Sequence, residues 1–250
     1  MILTDDFVYL HMEKTGGTFV TSMLERVYGR DHLVNMEKHG TVSDIPPDYA
    51  TRPVVATLRN PYERYVSQYR FGWWKLHPEN FCGEAEMRRL FPHYPDLSFA
   101  DYLELANTAF LGTFQKKSTG FENHNFAPER QLGWHTEQFV RFFFKNPRQV
   151  FARIDEDYID RQRYREDMGR VRFLRVDRLN LELHDFLLEI GRDRREIDFI
   201  LSAQRVLPAE GGREPGDRWQ DYYTPPLLDY VRTRERLLFS MFPEFDAEPA

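Results

Sequence analysis

The hydrophobic pattern of the chain alternates between short apolar runs and longer segments with helical spacing. The runs at 6–11 and 53–58 contain β-branched and aromatic side chains, which predicts buried strands. Each run is followed by apolar positions three and four residues apart, which predicts helices over 17–28 and 61–76. Because strands alternate with helices, we expect an α/β fold with a mostly parallel central sheet flanked by helices, in a single domain over 1–250.

The later part of the chain continues this alternation. Residues 77–97 contain prolines and have no clear period, so we interpret them as an irregular insertion that covers an acceptor site as a lid. The other predicted elements are short strands at 32–36 and 171–176, helices near 98–107 and 128–145, an amphipathic helix from Leu179 that stops at Gly191, and a final helix from Pro225.

The turn between the first strand and the first helix has the chemistry of a phosphate site. Residues 11–18 read HMEKTGGT, so two glycines let the backbone come close to an anion and Lys14 adds a positive charge. The order differs from the Walker pattern, since Lys14 precedes both glycines. The alternative is an ordinary glycine turn that carries a lysine by chance.

A second candidate site follows the strand at 53–58. Arg59 ends this strand, and open α/β sheets bind ligands at the carboxyl ends of their strands. Ser67 lies two turns into the next helix, and together an arginine and a hydroxyl can hold a second phosphate. The alternative is a surface arginine with an unrelated helix serine.

Both segments resemble motifs of one enzyme family. Residues 11–18 resemble the 5′-phosphosulfate loop, H-x-x-K-T-G-G-T, of the carbohydrate-type sulfotransferases, and residues 59–67 resemble their 3′-phosphate segment, R-[DN]-P-x-x-R-x-x-S. Weaker similarity extends to 38–41, which resemble bacterial members, and to 125–132 and 222–225. The resemblance implies a P-loop-like sulfotransferase fold that transfers a sulfuryl group from 3′-phosphoadenosine 5′-phosphosulfate (PAPS), releases 3′-phosphoadenosine 5′-phosphate (PAP), and needs no metal ion.

The resemblance also implies roles for individual residues. Lys14 would stabilise the leaving oxygen, and Arg59 with Ser67 would hold the 3′-phosphate. Phe19 would pack either against the adenine or in the core, and a late basic loop would place Arg213 or Arg218 over the nucleotide. The 5′-phosphate would be held by backbone N–H groups of Thr15, Gly16, Gly17 and Thr18 and by the Thr18 hydroxyl.

A hydroxyl or amine acceptor needs a general base, and histidine suits that role. His39 is the preferred candidate because it lies in a polar segment that matches the K-H stretch of the family. His77 and His124 are alternatives that could also contact the acceptor, and Glu13 is a further candidate base. Arg130 and Gln131 are predicted acceptor contacts.

Composition limits the possible partners and the possible location of the protein. A single cysteine excludes an internal disulfide, and a net charge of −6 argues against a nucleic-acid partner. No apolar run approaches the ~20 residues of a membrane span, so we expect a cytoplasmic protein whose partner is a small-molecule or glycan acceptor. Its oligomeric state is open. Two alternative functions remain, a catalytically silent PAP(S)-binding domain and a P-loop kinase that would depend on magnesium.

Overall fold

The chain forms two compact units, which are described separately. The sheet unit comprises Met1–Arg59 and Gly169–Gly211, and the helical unit comprises Asn60–Met168 and Gly212–Ala250. The prediction of a single domain stays a prediction. The structure, a computed structural model, describes residues 1–35, 38–114, 123–204, 206 and 216–246.

In the described part of the sheet unit the strands are β1 Ile2–Leu3, β2 Val8–Leu10, β3 Val34–Asn35, β4 Val54–Leu58 and β5 Val171–Arg175. They form one five-stranded sheet with the order β3-β1-β2-β4-β5. β1 is antiparallel to both of its neighbours, whereas β2 is parallel to β4 and β4 is parallel to β5. The other four strands therefore run in one direction, which confirms the predicted mostly parallel sheet of an α/β fold.

The helices are numbered in chain order across both units. Those of the sheet unit are α1 Gly17–Tyr28, α11 Leu179–Glu189 and α12 Arg194–Ile197. Those of the helical unit are α2 Pro61–Phe71, α3 Trp73–Leu76, α4 Glu84–Leu90, α5 Phe99–Leu105, α6 Leu111–Phe114, α7 Trp134–Phe143, α8 Pro147–Arg153, α9 Glu156–Asp160, α10 Tyr164–Asp167, α13 Pro225–Arg234 and α14 Arg236–Met241. Within the described residues, none of these helices has the length and apolar character that a membrane crossing requires.

One face of the sheet carries the core of the sheet unit. α1 and α11 pack on this face because each has apolar side chains at helical spacing. The predicted helix over 17–28 is confirmed with the same bounds, since a glycine turn precedes it and Gly29 ends it with a positive φ of 78°. The buried core residues include Phe7, Tyr9, Val55 and Leu174 from the sheet region, Phe19, Val20, Met23 and Leu24 from α1, and Leu183, Phe186 and Leu187 from α11.

The helical unit contains a buried carboxylate at the start of α7. Glu235 accepts hydrogen bonds from the Tyr65 hydroxyl (2.5 Å) and from both the N–H and the hydroxyl of Thr136 (2.7 Å each). Burial raises the pKa of the Glu235 carboxyl, while these hydrogen bonds act in the opposite direction. The carboxylate thus satisfies N–H groups of the first helical turn, which have no partner inside the helix.

Two sequence predictions needed correction. The predicted helix over 61–76 is divided at Gly72, whose φ of 66° ends α2 before α3 begins. The segment 77–97 is not irregular throughout, because it contains α4 with a fully buried Met87. Its short helix is rich in charged residues, so it shows no readable period. A lid role for this segment stays a prediction.

Candidate functional site

The loop between β2 and α1 carries two residues in the left-handed backbone region. Gly16 caps α1 with φ 87° and ψ 10°, a conformation that glycine adopts without steric cost. Lys14 has φ 60°, which is uncommon for a residue with a side chain. Strained backbone of this kind concentrates at ligand-binding and catalytic sites. The loop therefore holds Lys14 in a conformation that local propensity alone does not favour.

Gly17 is required by the packing of His11. A Cβ atom placed on Gly17 would lie 1.9 Å from His11 Nε2, far inside van der Waals contact. The imidazole ring thus lies against the first residue of α1. This close approach explains the second glycine of the motif, whereas the first is explained by its positive φ.

Replacing Gly17 with alanine is expected to destabilise the protein by about 1–3 kcal/mol, because the His11 ring has to move. Gly112→Ala is the matched control, since a Cβ atom placed on Gly112 would meet open space and its φ is not positive. Urea unfolding of both variants measures the difference. Equal stability of the two variants would contradict the packing explanation.

A chain of buried hydroxyls fixes the loop to the sheet. The Thr15 hydroxyl donates to the Met12 carbonyl (2.8 Å) and lies 2.9 Å from Thr57 Oγ1, which in turn lies 3.0 Å from the Tyr9 hydroxyl. Since each hydroxyl has one proton, Tyr9 donates to Thr57 and Thr57 donates to Thr15. The side chain of Thr15 is therefore engaged in the fold, and what it offers to an anion is its backbone N–H. In the sequence, the feature that indicates this row of hydrogen-bonded hydroxyls is Thr57, a polar residue within an apolar strand.

The start of α1 presents backbone N–H groups beside Lys14. The first N–H groups that reach a helical acceptor are those of Phe19 and Val20, both bonded to the Gly16 carbonyl at 3.1 and 3.3 Å. The N–H groups of Gly17 and Thr18 precede them and have no acceptor within the helix by its geometry. Together with the positive end of the helix dipole, they form a place where an anion is stabilised.

Arg59 lies beside the same loop. The residue is 6% exposed, and its Nη1 donates to the carbonyl oxygen of Lys14 at 3.3 Å. This contact follows from the sheet order, because β2 and β4 are neighbouring parallel strands and their carboxyl ends lie at one edge. The two motifs, 45 residues apart in sequence, are therefore in direct contact in the fold.

His39 is held next to this loop by its Nδ1 atom. Nδ1 lies 3.0 Å from the carbonyl oxygen of His11, and since a carbonyl only accepts, Nδ1 carries the proton. Nε2 is then the basic nitrogen of the neutral ring, and it lies 3.7 Å from Oε1 of Glu13. The carboxylate that stands in the anion loop thus faces an imidazole that becomes a cation when protonated.

The surroundings of His11 disfavour a charged imidazole. Burial, followed by the nearby charges of His39 and Lys38, lowers the pKa of its imidazole to about 3. The ring is therefore neutral at physiological pH, and it packs against Gly17. This agrees with a structural role for His11.

Phe19 is buried in the core of the sheet unit, with 5% of its surface exposed. Of the two interpretations open for Phe19, the structure supports core packing. Arg213 lies outside the described residues, and its alternative, Arg218, is exposed.

The other predicted site residues belong to the helical unit. Ser67 is buried on α2, and its role as a phosphate ligand stays a prediction. His77 contacts the ring of Trp73 in a tilted arrangement with ring centroids 3.8 Å apart, and its Nδ1 lies 3.2 Å from a carboxylate oxygen of Glu79. His124 is exposed.

Arg130 and Gln131 also make contacts within the helical unit. Arg130 forms a two-point ion pair with Glu156, at 2.6 and 3.1 Å, and Gln131 accepts a hydrogen bond at its carbonyl from Arg234 (3.2 Å). Contacts of these residues with an acceptor stay predictions.

Comparison with known proteins gives a weak structural similarity. No protein-family model matches the chain, and no curated protein sequence matches it at a significant level. Among solved structures, the chain is similar to mouse sulfotransferase SULT7A1 complexed with PAP, with 14% identity and a TM-score of 0.41 over 94% of this chain and 83% of that one. Similarity at this level does not establish a shared function.

Proposed function

We propose that the protein transfers a sulfuryl group from PAPS to a hydroxyl or amine of a carbohydrate or small-molecule acceptor. The observation that carries the proposal is the 3.3 Å hydrogen bond from Arg59 to the Lys14 carbonyl. It joins two basic motifs, each at the carboxyl end of a strand. A nucleotide with phosphates on both its 5′ and 3′ positions requires two such anion sites, whereas an ordinary nucleoside triphosphate requires one.

In this proposal the loop acts by charge neutralisation and positioning. The N–H groups of Gly17 and Thr18 and the Thr18 hydroxyl bind the 5′-phosphate, and Arg59 binds the 3′-phosphate, a role that the motif resemblance also gives to Ser67. The sulfur–oxygen bond to the phosphate breaks as the bond from the acceptor oxygen to sulfur forms. Negative charge develops on the leaving phosphate oxygen, where the Lys14 ammonium stabilises it.

His39 takes the proton of the acceptor in this scheme. The hydrogen bond from Nδ1 to the His11 carbonyl fixes the tautomer, so Nε2 presents its lone pair. Once Nε2 is protonated, the Glu13 carboxylate at 3.7 Å stabilises the imidazolium ion. Glu13 thereby acts through His39, which gives a function to a carboxylate that would otherwise repel the donor.

His39→Ala is expected to lower kcat by about 100-fold, the lower range for loss of a general base, while PAP affinity stays unchanged. Glu13→Gln should lower kcat by no more than about fivefold, because the ion pair is partly exposed. His93→Ala is the control, since His93 is an exposed histidine paired with Asp101. A kcat of His39→Ala equal to that of the control would remove His39 from the mechanism.

The function itself is tested by incubating the protein with PAPS and a panel of sugars, phenols and amines in the presence of EDTA. We expect release of PAP and transfer of sulfate to at least one acceptor without added metal. PAP binding without transfer to any acceptor would favour a catalytically silent binding domain. Binding of ATP with magnesium but not of PAP would favour a kinase.

A further inference from the structure

A cleft of about 390 Å³ opens in the sheet unit beside α1. Its polar wall is formed by the side chains of Thr21, Ser22 and Glu25, and Thr18 lies at the end nearest the anion loop. Its apolar wall includes Ile2 and Val206. The cleft is therefore large enough for one ring-sized ligand and has both polar and apolar surfaces, as ligand sites in proteins commonly do.

The polar wall is a stripe along one face of α1. Positions 18, 21, 22 and 25 follow the i, i+3, i+4, i+7 spacing of a single helix face, and each is partly exposed. The opposite face, with Phe19, Val20, Met23 and Leu24, packs in the core. The hydroxyls and the carboxylate of the stripe thus face the cleft and are not required to bury α1 on the sheet.

The cleft and Arg59 lie on opposite sides of β2. In the strand order β3-β1-β2-β4-β5, Arg59 follows β4, whereas Ile2 belongs to β1 and Lys38 comes shortly after β3. An in-line transfer needs the leaving nucleotide and the attacking acceptor on opposite sides of the transferred group. With the 3′-phosphate on the Arg59 side, the side of β1 and β3 remains available to the acceptor.

The charges around the cleft favour a ligand with a negative group. Lys38 contributes a positive charge, and the negative charge of Glu25 is offset by Arg30, whose Nη2 lies 3.2 Å from its carboxylate. His11 lines the cleft as a neutral imidazole that can exchange hydrogen bonds with hydroxyls. Three hydroxyls and one cationic side chain, set in a mainly apolar lining, match a polyhydroxylated carboxylate that also has a C–H face.

We propose that this cleft is the acceptor site and that it binds a polyhydroxylated molecule bearing a carboxylate, such as a sugar acid. Thr21, Ser22 and Glu25 bind its hydroxyls, Lys38 binds its carboxylate, and Ile2 and Val206 contact its C–H face. The inference rests on the proposed sulfuryl transfer and adds the acceptor class and its location.

The test uses glucuronate and glucose as probes, with dissociation constants measured by ligand-observed NMR on the full chain saturated with PAP. We expect glucuronate to bind about tenfold more tightly than glucose, as for one hydrogen bond to a charged group. The double variant Thr21→Val, Ser22→Ala should weaken both sugars by about tenfold, and Lys38→Ala should remove the preference for glucuronate. Thr51→Val, at an exposed threonine outside the cleft, is the control.

Equal affinity of the two sugars for the wild type, or unchanged affinity in the double variant, would overturn the assignment. Calorimetric titration of the same samples with PAP separates this failure from failure of the proposed function. If PAP binding is normal and the variants leave sugar binding unchanged, only the assignment of the cleft as the acceptor site is refuted. Absence of PAP binding refutes the proposed function, and sugar titrations without PAP then decide whether the cleft binds sugar acids.

Discussion

Replacing Lys14 with alanine is expected to lower kcat by between about 100- and 1,000-fold, the range for loss of one donor to a developing oxyanion. The proposed transition state places negative charge on the leaving phosphate oxygen, and alanine offers nothing to neutralise it. Steady-state kinetics with PAPS in excess measures the effect. PAP affinity should fall far less than kcat, because the backbone N–H groups of the loop remain.

The backbone of Lys14 provides an internal control for this experiment. Since its φ is 60°, Lys14→Gly removes the same ammonium group but adopts the left-handed conformation without strain. We therefore expect Lys14→Gly to be as inactive as Lys14→Ala and no less stable than the wild type. Lys75→Ala, at an exposed lysine on α3, should have normal activity. Near-normal kcat in Lys14→Ala would exclude the assigned role.

Arg59→Ala is expected to weaken PAP binding by roughly 2–4 kcal/mol, the cost of removing one partner of a buried charge-assisted pair. Two losses contribute, since the 3′-phosphate loses its cation and the Lys14 carbonyl loses the donor that fixes the loop. Isothermal titration calorimetry with PAP measures the change directly.

Arg59→Lys separates these two losses. A lysine keeps the positive charge but lacks the forked donor that can bind a phosphate and a carbonyl at once, so we expect an intermediate affinity. Arg89→Ala is the surface control, because Arg89 is exposed and paired with Glu86. PAP affinity unchanged in Arg59→Ala would mean that the second phosphate is bound elsewhere.

Much of the sheet unit could be predicted from local pattern. The helix from Gly17 to Tyr28 has glycines at both ends and a regular apolar face, so its bounds follow from the sequence. The strand at Val54–Leu58 is a continuous apolar run. β1 was not predicted, because its two residues, Ile2 and Leu3, are too few to show a period of two.

The internal contacts of the candidate site could not be predicted in the same way. The hydrogen bond from His39 to the His11 carbonyl spans 28 residues, and the contact between Thr15 and Thr57 spans 42. Both depend on the order and register of the strands, in which Tyr9 pairs with Val55. Sequence motifs indicate the candidate residues, whereas the sheet determines which of them meet.

The proposal that separate sites bind the 5′- and 3′-phosphates is tested most directly by comparing PAP with adenosine 5′-phosphate by calorimetry in the presence of EDTA. The two ligands differ by the 3′-phosphate, which the account assigns to Arg59. We expect PAP to bind between about 30- and 1,000-fold more tightly, as for a charge-assisted contact of roughly 2–4 kcal/mol. Equal affinities for the two nucleotides would contradict the account.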